Sequence, residues 1–121
     1  MIQHRNVMDI EDALKRAMGD MAFLQMMLDD FQHMAPDLIQ RFEKAVEDND
    51  LSQLAKDAHQ LLGAAATLGA NRIATAVSEL EKNARQNQGS DIRQILEQVK
   101  ARYLGFKSYI ATVAWDEFHS P

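Results

Sequence analysis

The chain has 121 residues, 46% of them hydrophobic and 26% charged, with a formal net charge of −5. That is enough apolar mass for a single domain, 1–121, with one core and no need of disulfides or metal, and the negative balance argues against nucleic acid as a partner. There is no cysteine, so neither a disulfide framework nor a thiolate zinc site; no apolar run approaches the roughly 20 residues of a bilayer crossing, and MIQHRNVMDI lacks the apolar core of a signal peptide.

A cytoplasmic protein without direct membrane insertion is therefore expected. Two prolines and five glycines among many alanines, leucines and methionines favour an all-α chain. Residues 1–8 show no useful periodicity and are expected as a frayed arm. A short helix is predicted from about Asp9 to Met18, with Asp9 as its N-cap and Ile10, Ala13, Leu14 and Ala17 on one apolar face. Gly19 stops it and Asp20 caps the next. From Leu24 the apolar positions run Leu24, Leu28, Phe31, Ala35, Leu38, Phe42 and Ala45, in steps of four and three that continue through Pro36. Proline removes an intrahelical hydrogen bond and clashes with the preceding turn, so two helices or one kinked helix are expected there. Met27 reads as core filling, the commoner role of methionine at helical spacing; Met21, Met26 and Met34 are open between core and surface.

Asp48, Asn49 and Asp50 form a polar break with N-cap character. It precedes LSQLAKDAHQLLGAAATLGA, Leu51 to Ala70, a helix that Gly69 ends. At about 100° per residue, Leu51, Leu54, Ala55, Ala58, Leu61, Leu62, Ala65 and Leu68 share one broad arc that must be buried. His59 falls just outside that arc, in a sector with Ser52, Gly63, Ala66 and Ala70, and with Lys56 one turn back. Glycine inside a helix costs about 1 kcal/mol relative to alanine. A side chain at Gly63 would cover the imidazole, so the glycine reads as keeping the ring open. A solvated or hydrogen-bonded histidine at the edge of an apolar stripe is the ordinary alternative.

Asn71 can cap a helix from about Arg72 to Asn87, with Ile73, Ala76, Val77, Leu80 and Ala84 inward, and the very short turn before it makes this helix an antiparallel neighbour of the histidine helix. After a polar stretch containing Gly89, Ser90 or Asp91 starts the last long helix. Its apolar residues are Ile92, Leu96, Val99, Tyr103, Phe106, Ile110 and Val113, a seam that predicts left-handed packing at crossing angles near 20°. Residues 115–121 are expected as a loosely held tail. The predicted fold is an up-and-down antiparallel four-helix bundle with an additional short N-terminal helix.

The run AHQLLGAAATLGA, followed by Arg72, Ile73, Leu80, Glu81, Ala84 and Arg85, resembles the signature of histidine phosphotransfer (HPt) domains, the helical phosphoryl carriers of multistep phosphorelays. Ala58, His59, Leu61, Gly63, Leu68, Gly69, Leu80 and Glu81 match the pattern, while Leu62 stands where the family usually has lysine. A looser likeness in helix order extends from Asp9 to about Val113. The resemblance implies that His59 accepts and donates the phosphoryl group. It also implies partners that are receiver domains of response regulators or hybrid sensor kinases, which bring their own aspartate and Mg²⁺. The chain itself then needs neither metal nor cofactor.

Imidazole, with an ordinary pKa of about 6.5, is mostly neutral near pH 7, and phosphoryl transfer is largely positioning and charge stabilisation. A carrier site can therefore be sparse. Lys56 and Arg72 are the nearest candidates for phosphate contacts, with Gly63 and Ala66 in the docking environment; either charge is also what a solvated helix face carries. No P-loop is present, so the chain is not expected to phosphorylate itself from ATP. Di-iron bundles need paired Glu-x-x-His motifs, and neither His33 nor His59 has a glutamate three residues before it. Two functions remain: a monomeric phosphoryl carrier working at His59, or a phosphorylation-silent helical adaptor that keeps the docking face and has lost the chemistry with the lysine. Retention of His59 together with Gly63 favours the carrier.

Overall fold

The computed structural model describes residues 7–86 and 91–117. Among the described residues there are five α-helices and no strand: α1 (Ile10–Arg16), α2 (Met21–Glu47), α3 (Leu51–Thr67), α4 (Asn71–Arg85) and α5 (Ile92–Thr112), followed by a 3-10 turn at Trp115–Glu117. Short aspartates start the first three. The side chains of Asp9, Asp20 and Asp50 each accept from the backbone N–H three residues on, at 3.1 Å, satisfying a donor that the first helical turn leaves free.

α2 is one helix rather than two, with Pro36 inside it. The proline leaves the carbonyl of Gln32, four residues earlier, without its helical partner. The Tyr103 hydroxyl of α5 donates to that carbonyl at 3.3 Å, which offsets the loss from outside the helix. Leu24, Leu28, Phe31, Ala35, Leu38, Phe42 and Ala45 all lie on its buried side, as their spacing predicts. Phe31 meets Phe106 of α5 edge to face, with ring centroids 5.3 Å apart. Met21, Met27 and Met34 pack half-buried against this core, whereas Met26 is exposed.

α3 packs on α2 and on α4, α4 packs on α5, and α5 returns to α2. Leu54 and Leu61 of α3 are wholly enclosed, and each contributes about 1.5–3 kcal/mol through burial. Leu51 and Leu62, at the margins of the expected arc, are half-buried against the core. α1 lies across the end of α3. The Asp9 N–H donates to the Gly69 carbonyl at 2.9 Å, and the Arg16 guanidinium donates to the Ala66 carbonyl. Gly69 has φ +66°, and a Cβ there would sit 2.9 Å from the Asp9 carbonyl oxygen, so the turn demands glycine on two grounds.

Several boundaries differ from the sequence expectation. α3 ends at Thr67, so the helical projection stops before Ala70, which is fully buried at the N-cap of α4 instead of sharing the open sector with His59. Asn71 is the first residue of α4 rather than its cap, and α4 starts without a side-chain cap bond because the tight Gly69 turn gives that place to alanine. Asp91 occupies the N-cap of α5, again without a side-chain cap bond; Asn87 and Ser90 lie outside the described residues. The expected arm, 1–8, is docked at its inner end. Met8 is among the largest fully buried side chains, because the Asp9–Gly69 bond draws the chain onto the core; residues 1–6 lie outside the described residues. The expected tail, 115–121, is likewise tied down at its start, where the Trp115 indole donates to the Ile110 carbonyl at 3.3 Å; residues 118–121 lie outside the described residues.

Candidate functional site

His59 stands on the open side of α3 with 71% of its side chain exposed. Next along that side, Gly63 presents a bare backbone, and a Cβ built on it would meet nothing within 4 Å. Ala66 follows, exposed, with Lys56 exposed one turn before the histidine. Three of the residues that the sequence associates with His59 are thus gathered on one helix face, held there by the burial of Leu54, Ala58 and Leu61 on the other.

Arg72 is not brought to the ring. It lies nine residues before Glu81 on α4, about 13 Å along the helix, and lines a separate cleft with Asn71, Thr75 and Arg102. Arg102 there donates to the Arg72 carbonyl at 2.9 Å.

The nearest neighbours of the imidazole come from α4 and have no individual role in the sequence reading. His59 Nδ1 lies 3.1 Å from Glu81 Oε2 and 3.3 Å from Oε1. Arg85, one turn on, places both Nε and a terminal nitrogen 2.8 Å from the same Oε2. Only 13% of the Glu81 side chain is exposed. Burial alone would push its carboxyl up, but the hydrogen bonds from Arg85 and His59 outweigh that and hold its pKa below the ordinary value. Glu81 is thus an acceptor without a proton to give. Nδ1 must be the donor, which puts the lone pair of a neutral ring on Nε2, and Nε2 has no protein partner among the described residues.

One signal for this pairing is present in the sequence. His59 and Glu81 lie eleven residues before and after Ala70, so two helices folded back at that turn bring them level. A second feature escaped detection because apolar periodicity says nothing about a buried charge. Asp57, two residues before His59 and on the other side of α3, is 3% exposed; its Oδ1 pairs with Arg41 of α2 at 3.2 Å and accepts from Gln53 at 3.1 Å. α3 is therefore bound to α2 by this ion pair and to α4 by the hydrogen bond of His59 to Glu81. Among the described residues no cluster of three His, Asp or Glu side chains could hold a metal ion, and no helix is long and apolar enough to cross a membrane.

The family model of the Hpt domain matches residues 26–108, more than half of the chain and all of α3 and α4. The chain belongs to the Hpt domain family. Histidine phosphotransfer in phosphorelay signalling is the activity that membership in the Hpt family implies, and Hpt domains are phosphoryl carriers, generally not kinases. The match begins within α2 and ends within α5, so α1 lies outside it. Comparison with curated proteins and with solved structures gave no match.

Proposed function

We propose that this chain is a histidine phosphotransfer protein, or a domain of one, that accepts a phosphoryl group at His59 Nε2 from the aspartate of a receiver domain and passes it to another. The observation that carries the reading is the clamped imidazole: Nδ1 is held by Glu81 on a ring whose side chain is mostly exposed, one helical turn from the bare backbone of Gly63. In the accepting step the Nε2 lone pair attacks phosphorus and the bond from phosphorus to the aspartyl oxygen breaks. The electron pair leaves with the receiver's carboxylate. The Nδ1 proton stays in place, so the phosphorylated ring becomes cationic and Glu81 balances it. Return transfer runs the same bonds backwards. An in-line approach needs room along the Nε2 axis, which Gly63 and Ala66 leave on the α3 surface.

In this reading the chain is a single domain and a monomer, working in the cytoplasm without ATP-dependent kinase activity of its own. Its helices α2–α5 form a four-helix up-and-down bundle, with α1 laid against one end. Links between residues that count in opposite directions along neighbouring helices support that arrangement: His59 to Glu81, Arg41 to Asp57, and Tyr103 to Gln32. The partners are receiver domains of response regulators or hybrid kinases, which supply the aspartate and the Mg²⁺. Lys56 remains a candidate phosphate contact, and Gly63 and Ala66 the floor of the docking face.

The test is incubation with a panel of phosphorylated receivers, followed by detection of phosphate on this protein. Uptake by the wild type and none by a folded His59→Gln variant is the expected result. Uptake by His59→Gln would overturn the assignment, and a wild type that binds receivers without taking phosphate would identify the silent adaptor.

A further inference from the structure

We infer that the cleft between α4 and α5 holding Arg72 and Arg102 is a binding site for a phosphate dianion, free or as the head of a small phosphate ester. It stands apart from the histidine face. The nine residues from Arg72 to Glu81 set the two on opposite flanks of α4, about 180° apart. Glu81 lies toward α3 and His59, whereas Arg72 lies toward α5, whose Arg102 lines the same cleft. The inference therefore does not rest on His59 being a phosphoryl acceptor.

The cleft has a volume of about 380 Å³ and is lined by Asn71, Arg72, Thr75 and Arg102, with no carboxylate among the described residues. In a chain of 18 acidic and 13 basic residues an arginine has acids to choose from. Arg16, Arg41 and Arg85 each hold one. Neither Arg72 nor Arg102 forms an ion pair among the described residues. Arg102 spends one N–H on the Arg72 carbonyl at 2.9 Å, and its other donors, with all five of Arg72, have no acceptor among the described residues. That bond and its half-buried stem hold Arg102 against α4, so one guanidinium is placed beforehand. Two cations in one cleft repel each other, and an anion between them reverses the sign of the interaction.

Phosphate suits the cleft better than carboxylate. One guanidinium fork answers the two oxygens of a carboxylate, whereas two forks offer the paired donors that a tetrahedral dianion can use. A protein partner draws most of its affinity from aromatic and other anchors seated in desolvated pockets, and the described lining here is wholly polar. Thr75 donates its hydroxyl to the Asn71 carbonyl at 2.9 Å, so its oxygen is left to accept. A hydroxyl on the organic part of an ester is the donor that fits it. Binding makes and breaks no covalent bond.

The experiment titrates phosphate, glycerol phosphate, acetate and chloride into the full chain at constant ionic strength, at a pH where phosphate is dianionic, and follows backbone amides by NMR. Phosphate and glycerol phosphate are expected to move the amides of residues 71–75 and 102 saturably, and to raise the melting temperature as a ligand of the folded state does. Acetate and chloride are expected to do neither. Arg72→Met and Arg102→Met should each weaken phosphate binding about tenfold or more, and Arg102→Lys, which keeps the charge without the fork, should fall between. His59→Gln should bind phosphate as the wild type does. Tighter binding of glycerol phosphate identifies an ester as the ligand, and equal binding identifies free phosphate. Thermal melts check that each variant is folded, and Arg102→Lys carries the test if Arg102→Met is not. Acetate binding as tightly as phosphate overturns the ligand class. Undiminished phosphate binding by the folded arginine variants, or its loss in His59→Gln, overturns the site.

Discussion

Arg41 keeps more than half of its side chain in solvent while holding Asp57, whose side chain is 4% exposed. The two ends of this ion pair are therefore unequal. If Asp57 is removed, Arg41 turns to water; if Arg41 is removed, a carboxylate is left enclosed with only Gln53 on one oxygen and nothing on the other. Arg41→Ala is expected to cost about 2–4 kcal/mol, and Asp57→Ala distinctly less. Denaturant unfolding of the two single variants decides it, and equal losses would refute the asymmetry.

Tyr103 and Pro36 form a second coupled pair, since the hydroxyl of one serves the carbonyl that the other strands. Tyr103→Phe is expected to destabilise by about 1 kcal/mol through that unserved carbonyl. In a Pro36→Ala background the Gln32 carbonyl regains a helical partner, and the same substitution should cost less. A double-mutant cycle measures the difference.

Gly63 separates stability from transfer. A Cβ there meets nothing within 4 Å, so Gly63→Ala is expected to stabilise the protein by about 0.5–1 kcal/mol, as a better helix former with no new contact. Gly63→Leu should also keep the fold while slowing transfer from a receiver, because the larger side chain stands in the approach to Nε2. Equal transfer rates for Gly63→Leu and wild type would remove the access argument.

Acid should loosen the tie between α3 and α4. The Glu81 carboxyl is lowered from 4.5 in the folded protein, so its contribution is whole above about pH 4.5 and is lost as the pH falls through the lower folded value. Both partners, His59 and Arg85, are more than half exposed, which limits the contribution to under about 1 kcal/mol. The melting temperatures of wild type and Glu81→Gln should therefore differ slightly above that range and converge as the solution is acidified. A gap that widens on acidification would contradict the sign.

The helices were legible because each lays one apolar stripe on the core and most announce their ends with aspartate or glycine. Asp9, Asp20, Asp50 and Gly69 do so within a residue or two. Pro36 left the reading open between two helices and one kinked helix, because its remedy, Tyr103, lies 67 residues away on another helix, out of reach of any local rule. The same division holds at the site. His59, Gly63, Ala66 and Lys56 share one helix, and spacing alone gathers them. Glu81 and Arg85 belong to the next helix, and their relation to the ring depends on inter-helix register, legible only once the turn at Ala70 is known. Arg72 was placed near His59 by closeness in sequence to the turn, although the turn sets it level with the end of α3 and not with its middle.

The meeting of Asp9 with Gly69 gives the connection between α3 and α4 an unusual standing for a surface turn. It is a seat that another segment already occupies, and a residue inserted there would unseat α1 and rotate the register that sets His59 opposite Glu81. Affinity tags, spectroscopic labels and protease sites engineered for work on this protein therefore belong elsewhere than in this turn.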